Sequence, residues 1–120
     1  MSYRKELGQR GEEFVAQHLE STGCEILDRN WRVREGELDL VAQTNQGVFL
    51  FVEVKTRTSR KYGDPLEAID AKKAQRLQKL ALAWLMTHNA WDEPFRIDCA
   101  GVIFDTTEQK FVLDYRVGVL

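Results

Sequence analysis

The sequence predicts an α/β protein, with one central mixed five-stranded sheet flanked by helices in the order α-β-β-β-α-β-β. Three observations carry this. Apolar residues recur at helical spacing in two stretches, residues 3–21 and 66–88. Three runs of strand character lie between those stretches and two more follow the second. Over 120 residues, 43% hydrophobic and 30% charged is the balance of a single soluble domain, 1–120, able to bury a core.

Each element has its own justification. Leu7, Gly11, Phe14, Val15, His18 and Leu19 form the stripe of the first helix, and "STGC" closes it with Gly23 suited to the turn. "CEILDRNWRV" is the first strand, and "GELDLVAQTNQGVFLFVEVKTR", Gly36 to Arg57, is a hairpin made of the next two. "TSRKYGDP" is a loop with Pro65 at the next helix start. Leu66 to His88 then carries Ala74, Leu77, Leu80, Ala81, Trp84 and Leu85 as a second stripe. "FRIDCAGVIF" is apolar enough for a central strand, and "KFVLDYRV" alternates as the last.

Composition narrows the function. No run approaches the roughly 18 apolar residues of a membrane span, and "MSYRKELGQRGEEF" lacks the apolar segment of a secretory signal. A cytoplasmic protein with no membrane partner is expected. Cys24 and Cys99 form no CxxC and are expected as reduced thiols. A net charge of −2 and a pI near 5.7 argue against a protein that coats nucleic acid by charge alone. Basic residues nevertheless gather as Arg29, Arg32 and Arg34, as Lys55, Arg57, Arg60 and Lys61, and as Lys72, Lys73, Arg76 and Lys79. Each group is a solvated face or part of an anion-binding surface around the hairpin.

The hairpin poses the sharpest question, because Asp39, Glu53 and Lys55 interrupt its apolar runs. A three-residue loop, Asn45-Gln46-Gly47, with Gly47 in the left-handed region, pairs Leu38 with Val54, Leu40 with Val52 and Ala42 with Leu50 on one apolar face. The other face then pairs Glu37 with Lys55, Asp39 with Glu53 and Val41 with Phe51. A one-residue slip would invert every side chain, so this sorting selects the register. Two facing carboxylates repel at a Cβ separation of about 4.5–5.5 Å, so something positive must sit with them. One candidate is a salt-bridge cluster that includes Lys55; the other is a hard cation such as Mg²⁺ or Mn²⁺. At about 100° per residue, Glu12 lies beside Gly8 and Val15 and offers a third carboxylate, whereas Glu13 points to solvent. Gly8 and Gly11 serve either close packing on the sheet or the approach of a phosphate strand.

An acidic residue on one strand followed by Glu-x-Lys on the next resembles the PD-(D/E)xK site of restriction-endonuclease-like nucleases, with Leu38 where that pattern has Pro. "LGQRGEEFVAQHL", "RNWRVREGELDLVA", "FVEVKTR", "YGDPLEAID..K" and "RIDCAGVIF" resemble the small bacterial YraN family along almost the whole chain, a family similar in fold and site layout to archaeal Holliday-junction resolvases. The resemblance implies a three-layer restriction-endonuclease-like fold. It implies Glu12, Asp39 and Glu53 as ligands of Mg²⁺ or Mn²⁺, with Asp39, Glu53 and Lys55 as the catalytic set for metal-assisted phosphodiester hydrolysis. Lys55 would orient or deprotonate water, or neutralise charge at phosphorus. Arg57, Lys73 and Arg34 are the candidates for contacts to nucleic acid, DNA in this reading.

Other residues have structural readings. Arg96 and Asp98 form an ion pair, His18 and His88 pack or face solvent, and Trp84 and Trp91 pack in core and loop. Trp31 either packs at a strand edge or stacks on an unpaired base. The expected function is a metal-dependent endonuclease acting on branched or structured DNA. The alternatives are a non-catalytic nucleic-acid-binding module or a protein-interaction adaptor on the same scaffold. A homodimer is left open, since a four-way junction has two equivalent strands.

Overall fold

The structure is a computed structural model that describes residues 2–58 and 70–119. Its elements follow the expected order: α1 (Tyr3–Ser21), β1 (Glu25–Val33), β2 (Gly36–Gln43), β3 (Phe49–Arg57), α2 (Ala71–Thr87), β4 (Phe95–Asp105) and β5 (Lys110–Arg116). The Ser2 hydroxyl accepts the Lys5 N–H and caps α1. At its other end Gly23 takes φ 95°, while the Gly23 and Cys24 N–H groups return to the carbonyls of Glu20 and Leu19. This closes the last turn with bonds only a left-handed residue allows. The helix start expected at Leu66, with Pro65, Arg60 and Lys61 before it, lies outside the described residues. As described, α2 begins at Ala71, because Asp70 is extended and its carboxylate accepts the Lys73 N–H.

The five strands lie in the order β1-β2-β3-β4-β5, with β3 and β4 parallel and the other neighbours antiparallel. The parallel pair requires a crossover, and the segment containing α2 makes it. Among the described residues each sheet face carries one helix. On one side Val15, Ala16 and Leu19 of α1 pack on Leu40, Ala42, Leu50, Val52, Val54, Ala100 and Val102. On the other, Leu77, Leu80, Ala81, Trp84 and Leu85 of α2 pack on Leu38, Val41, Phe51 and Ile97. The layers are α1, mixed sheet, α2. No helix among the described residues is long and apolar enough to cross a membrane.

The hairpin adopts the expected loop. Gly47 has φ 87°, its N–H reaches the Thr44 carbonyl, and the Thr44 N–H bonds the Val48 carbonyl. Leu40 pairs with Val52, Val41 with Phe51 and Ala42 with Leu50, so the register is the expected one. Beyond Leu40 the strands depart from the sequence reading. Leu38 packs with Val41 beneath α2, not with Leu40 beneath α1. Two positions of strict alternation cannot do this, so β2 carries one extra residue at Asp39. Its neighbour β1 shifts register between Ile26 and Asp28 and then turns with β2 at the facing position. Arg29 pairs with Leu40 and Trp31 with Leu38, and Asn30 between them takes φ 50°. Asn tolerates that left-handed conformation better than any branched residue. Two facing kinks therefore sit side by side, and they re-aim Asp39.

Candidate functional site

The kink places the Asp39 carboxylate where a backbone carbonyl would otherwise meet β3. Its Oδ2 accepts the Val54 N–H at 2.8 Å. Glu53, only 8% exposed, follows the alternation of Phe51 toward α2. There its Oε1 lies 3.4 Å from Lys73 Nζ and 3.6 Å from Lys55 Nζ. Glu12 approaches from the α1 side and accepts an Asn30 Nδ2 hydrogen at 3.1 Å, and the same amide reaches Glu37 at 2.9 Å. Four carboxylates from α1, β2 and β3 thus converge on one corner of the sheet, opposed by two lysines.

Gly11 makes that convergence possible. A Cβ there would stand 2.1 Å from Thr56 Oγ1 of β3, so only glycine lets α1 come close enough to hold Glu12 over the strands. Gly8 differs, since a Cβ there would meet nothing within 4 Å. Close packing accounts for Gly11 and does not account for Gly8.

Electrostatics mark the corner as under-neutralised. Burial, then the neighbouring Glu53 charge, pushes the Asp39 carboxyl up to about 7, against the pull of the Val54 bond. Burial likewise raises Glu12, partly offset by Asn30 and reinforced by Glu37 and Glu53. Burial lowers Lys73, and the adjacent Lys55 adds to the effect while Glu53 opposes it. Carboxylate oxygens with this excess of negative charge are the donor type that Mg²⁺ and Mn²⁺ take. Glu12, Asp39 and Glu53 are the residues able to hold such an ion. As the side chains stand, no three His, Cys, Asp or Glu among the described residues close round a common point.

The structure therefore brings Glu12, Asp39, Glu53, Lys55 and Lys73 together. It does not do so for Arg57 and Arg34. Arg57 is exposed at the end of β3 and turns back to the Thr56 carbonyl, and Arg34 is exposed in the turn between β1 and β2. The expected partner of Glu37 is corrected. It pairs with Arg32 Nε at 3.1 Å and with Asn30, not with Lys55. Asn30 was missed by sequence reasoning. Its signal was an Asn inside a strand, where that residue is depleted unless the backbone must turn left-handed.

The remaining candidates take their structural readings, with one exception. Asp98 is fully buried and receives Arg96 Nε at 3.0 Å, the Tyr115 hydroxyl at 2.6 Å and the Gly118 N–H at 2.8 Å. Trp31 packs under α2. His88 stacks on Trp84 at 3.9 Å, and His18 lies 5.9 Å from the Tyr115 ring. Both cysteines are free, and burial pushes the Cys99 thiol up to about 11. The exception is Trp91, which is 69% exposed and not packed as expected.

Known proteins resemble this chain along most of its length. Residues 11–102 match the model of a family described as "Uncharacterised protein family UPF0102". A UPF0102 protein of Clavibacter michiganensis is 49% identical over 93% of this chain and 94% of its own. One from Leifsonia xyli is 45% identical over 86% of each, and one from Frankia casuarinae is 50% identical over 73% of this chain and 74% of its own. Among solved structures, SfsA of Pyrococcus furiosus in complex with Ca²⁺ superposes with a TM-score of 0.46 at 19% identity. That match covers 96% of this chain but only 64% of the SfsA chain. With a family model spanning both the kinked strands and the Glu-x-Lys of β3, the chain belongs to the UPF0102 family, the YraN proteins that its motifs resemble.

Proposed function

We propose that the chain is a divalent-metal-dependent phosphodiesterase, an endonuclease acting on branched or otherwise structured DNA. The observation that carries the reading is the juxtaposition of Asp39 and Glu53 at the point where β2 and β3 part, with Lys55 beside them. Two carboxylates forced together at the mouth of a kinked strand pair cost stability, and a bound cation removes that cost. Asp39 and Glu53 would hold Mg²⁺ or Mn²⁺, with Glu12 completing the set directly or through water. When bound, such an ion supplies Lewis-acid stabilisation of the charge that grows on phosphate oxygens.

The chain's own residues account for the rest. The Val54 N–H fixes the rotation of the Asp39 carboxylate. Lys55 and Lys73 pair with Glu53, and the Lys55 ammonium would orient the attacking water or neutralise an oxygen at phosphorus. DNA in the cytoplasm is the proposed setting. A homodimer would offer one site to each of the two equivalent strands of a junction.

The test is cleavage of a panel of linear, flapped and four-way-junction DNA with Mg²⁺ or Mn²⁺, comparing the wild type with Asp39→Asn and Lys55→Ala. Each variant is expected to lose at least about 100-fold in rate, the usual size for a deleted transition-state contact. Equal rates in wild type and Asp39→Asn would refute the reading. One observation favours a second reading, a binding module without catalysis: Glu53 is already neutralised by two lysines. Junction binding unaffected by metal and by Asp39→Asn, with no cleavage by any form, would select it.

A further inference from the structure

The basic residues of α2 are not used up by the carboxylate corner. Lys72, Lys73, Arg76 and Lys79 lie on one helix, and no acidic residue occurs between Ala71 and Thr87. Taking those four positive charges from a chain of net −2 leaves −6 for everything else. A helix whose only role was to face solvent would intersperse acids at i, i+4 to stabilise itself, and this one has none. Among the described residues the ion pair of this group is that of Lys73 with Glu53.

These side chains line a groove of about 910 Å³. Gln75, Leu80 and Ala83 complete it, with Glu35 and Asp70 also on its wall. The Asp70 carboxylate is committed to the Lys73 N–H at 2.8 Å. Among the described lining residues none is aromatic, and four carry a positive charge. From Lys72 to Lys79 is two helical turns, about 10.5 Å. Lys73 belongs to both places: it lines the groove, and its Nζ stands 3.4 Å from Glu53 Oε1.

We infer that the α2 groove binds the phosphate backbone of a single nucleic-acid strand and feeds it to the Asp39–Glu53 corner, gripping it by its phosphates. The direction of feeding rests on the phosphodiesterase reading; the binding does not. Lys72, Arg76 and Lys79 supply the grip along the groove, and Lys73 is where the strand passes from binding to the carboxylates.

The test is fluorescence anisotropy with a 5′-labelled unpaired 12-mer of mixed sequence and with a labelled four-way junction, in EDTA so that cleavage does not enter. The variant Lys72→Gln/Arg76→Gln/Lys79→Gln keeps residues of similar helix propensity. A single Arg76→Glu serves if the triple variant melts early, and Arg4→Gln/Lys5→Gln on α1 is the control. The triple variant is expected to bind both probes at least about 30-fold more weakly at 50 mM salt. Its slope of log affinity against log salt should fall by about two on the unpaired probe and by about three on the junction, for three lost cations. The control should stay within twofold, and homopolymers of different bases should bind wild type within about threefold of one another. Wild-type affinity and salt slope in the triple variant, or a strong preference for one base, would overturn the proposal. Loss of binding in the triple variant, together with no cleavage by the wild type in Mg²⁺, would leave the groove standing and remove the phosphodiesterase.

Discussion

Asp98 and Asp39 are both drawn into the same sheet, and their surroundings are opposite. Asp98 is enclosed by donors, with a guanidinium, a phenol and a backbone N–H all pointing at its two oxygens. That arrangement ties β4 to β5 and holds Gly118, and it raises the Tyr115 phenol through burial and the bond to Asp98. Asp39 receives one backbone N–H and faces three other carboxylates. A buried acid with its donors complete is a structural part. One left short of positive charge is a place where something positive is missing, and here it lies at a deliberate break in strand alternation.

The comparison can be broken first at the satisfied end. Asp98→Ala should cost about 3–5 kcal/mol, read from urea denaturation, because a fully buried carboxylate loses its bonds from the Arg96 guanidinium, the Tyr115 phenol and the Gly118 N–H. A smaller loss would mean that water replaces the carboxylate.

Next comes the unsatisfied end. Asp39 titrates near 7 in the folded chain against 3.8 ordinarily. Below about pH 4 it is protonated in both states. Between pH 4 and 7 only the folded state keeps the proton, so its stabilising contribution is lost as pH rises through 7. Metal-free wild type should therefore lose roughly 2–4 kcal/mol relative to Asp39→Asn between pH 4 and pH 8, measured by melts at each pH. A constant difference would show that Asp39 is neutralised by the lysines.

Adding Mg²⁺ at pH 8 sharpens the contrast. At about 100 times its dissociation constant it should stabilise wild type by about 2.7 kcal/mol and leave Asp39→Asn unmoved, while Asp98→Asn responds like wild type. The smallest effect concerns how the corner is approached. Gly11→Ala should cost roughly 1–3 kcal/mol through its clash with Thr56, and Thr56→Ala should recover part of it. Gly8→Ala should instead stabilise α1 by on the order of 1 kcal/mol.

Much of this was legible in the chain. The hairpin loop and register followed from Gly47 and from the alternation of residues 40–43 and 49–52, because local turn geometry and burial agree there. The register made Asp39 the strand partner of Glu53, whereas the pairing stops at Leu40 and Asp39 instead accepts the Val54 N–H. The face of Leu38 did not follow from the register, because it depends on Asn30 of another strand adopting φ 50°. Nor did the partners of Glu37, since β1 and not β3 supplies them. Lys73 was proposed as a phosphate contact, but its seat against Glu53 depends on where a helix settles over a sheet, which strand periodicity does not encode. The opposite outcomes for Gly8 and Gly11 needed the neighbouring atoms themselves.

The facing kinks carry a consequence for how this chain tolerates insertions and deletions. Removing Asn30 alone would straighten β1 while β2 stayed bent, and the mismatch would strand Trp31 and Leu38 on different sides. Losing Asn30 and Asp39 together would restore alternation across β2 and the facing half of β1, leaving only the irregularity between Ile26 and Asp28: a flatter scaffold, emptied of its chemistry.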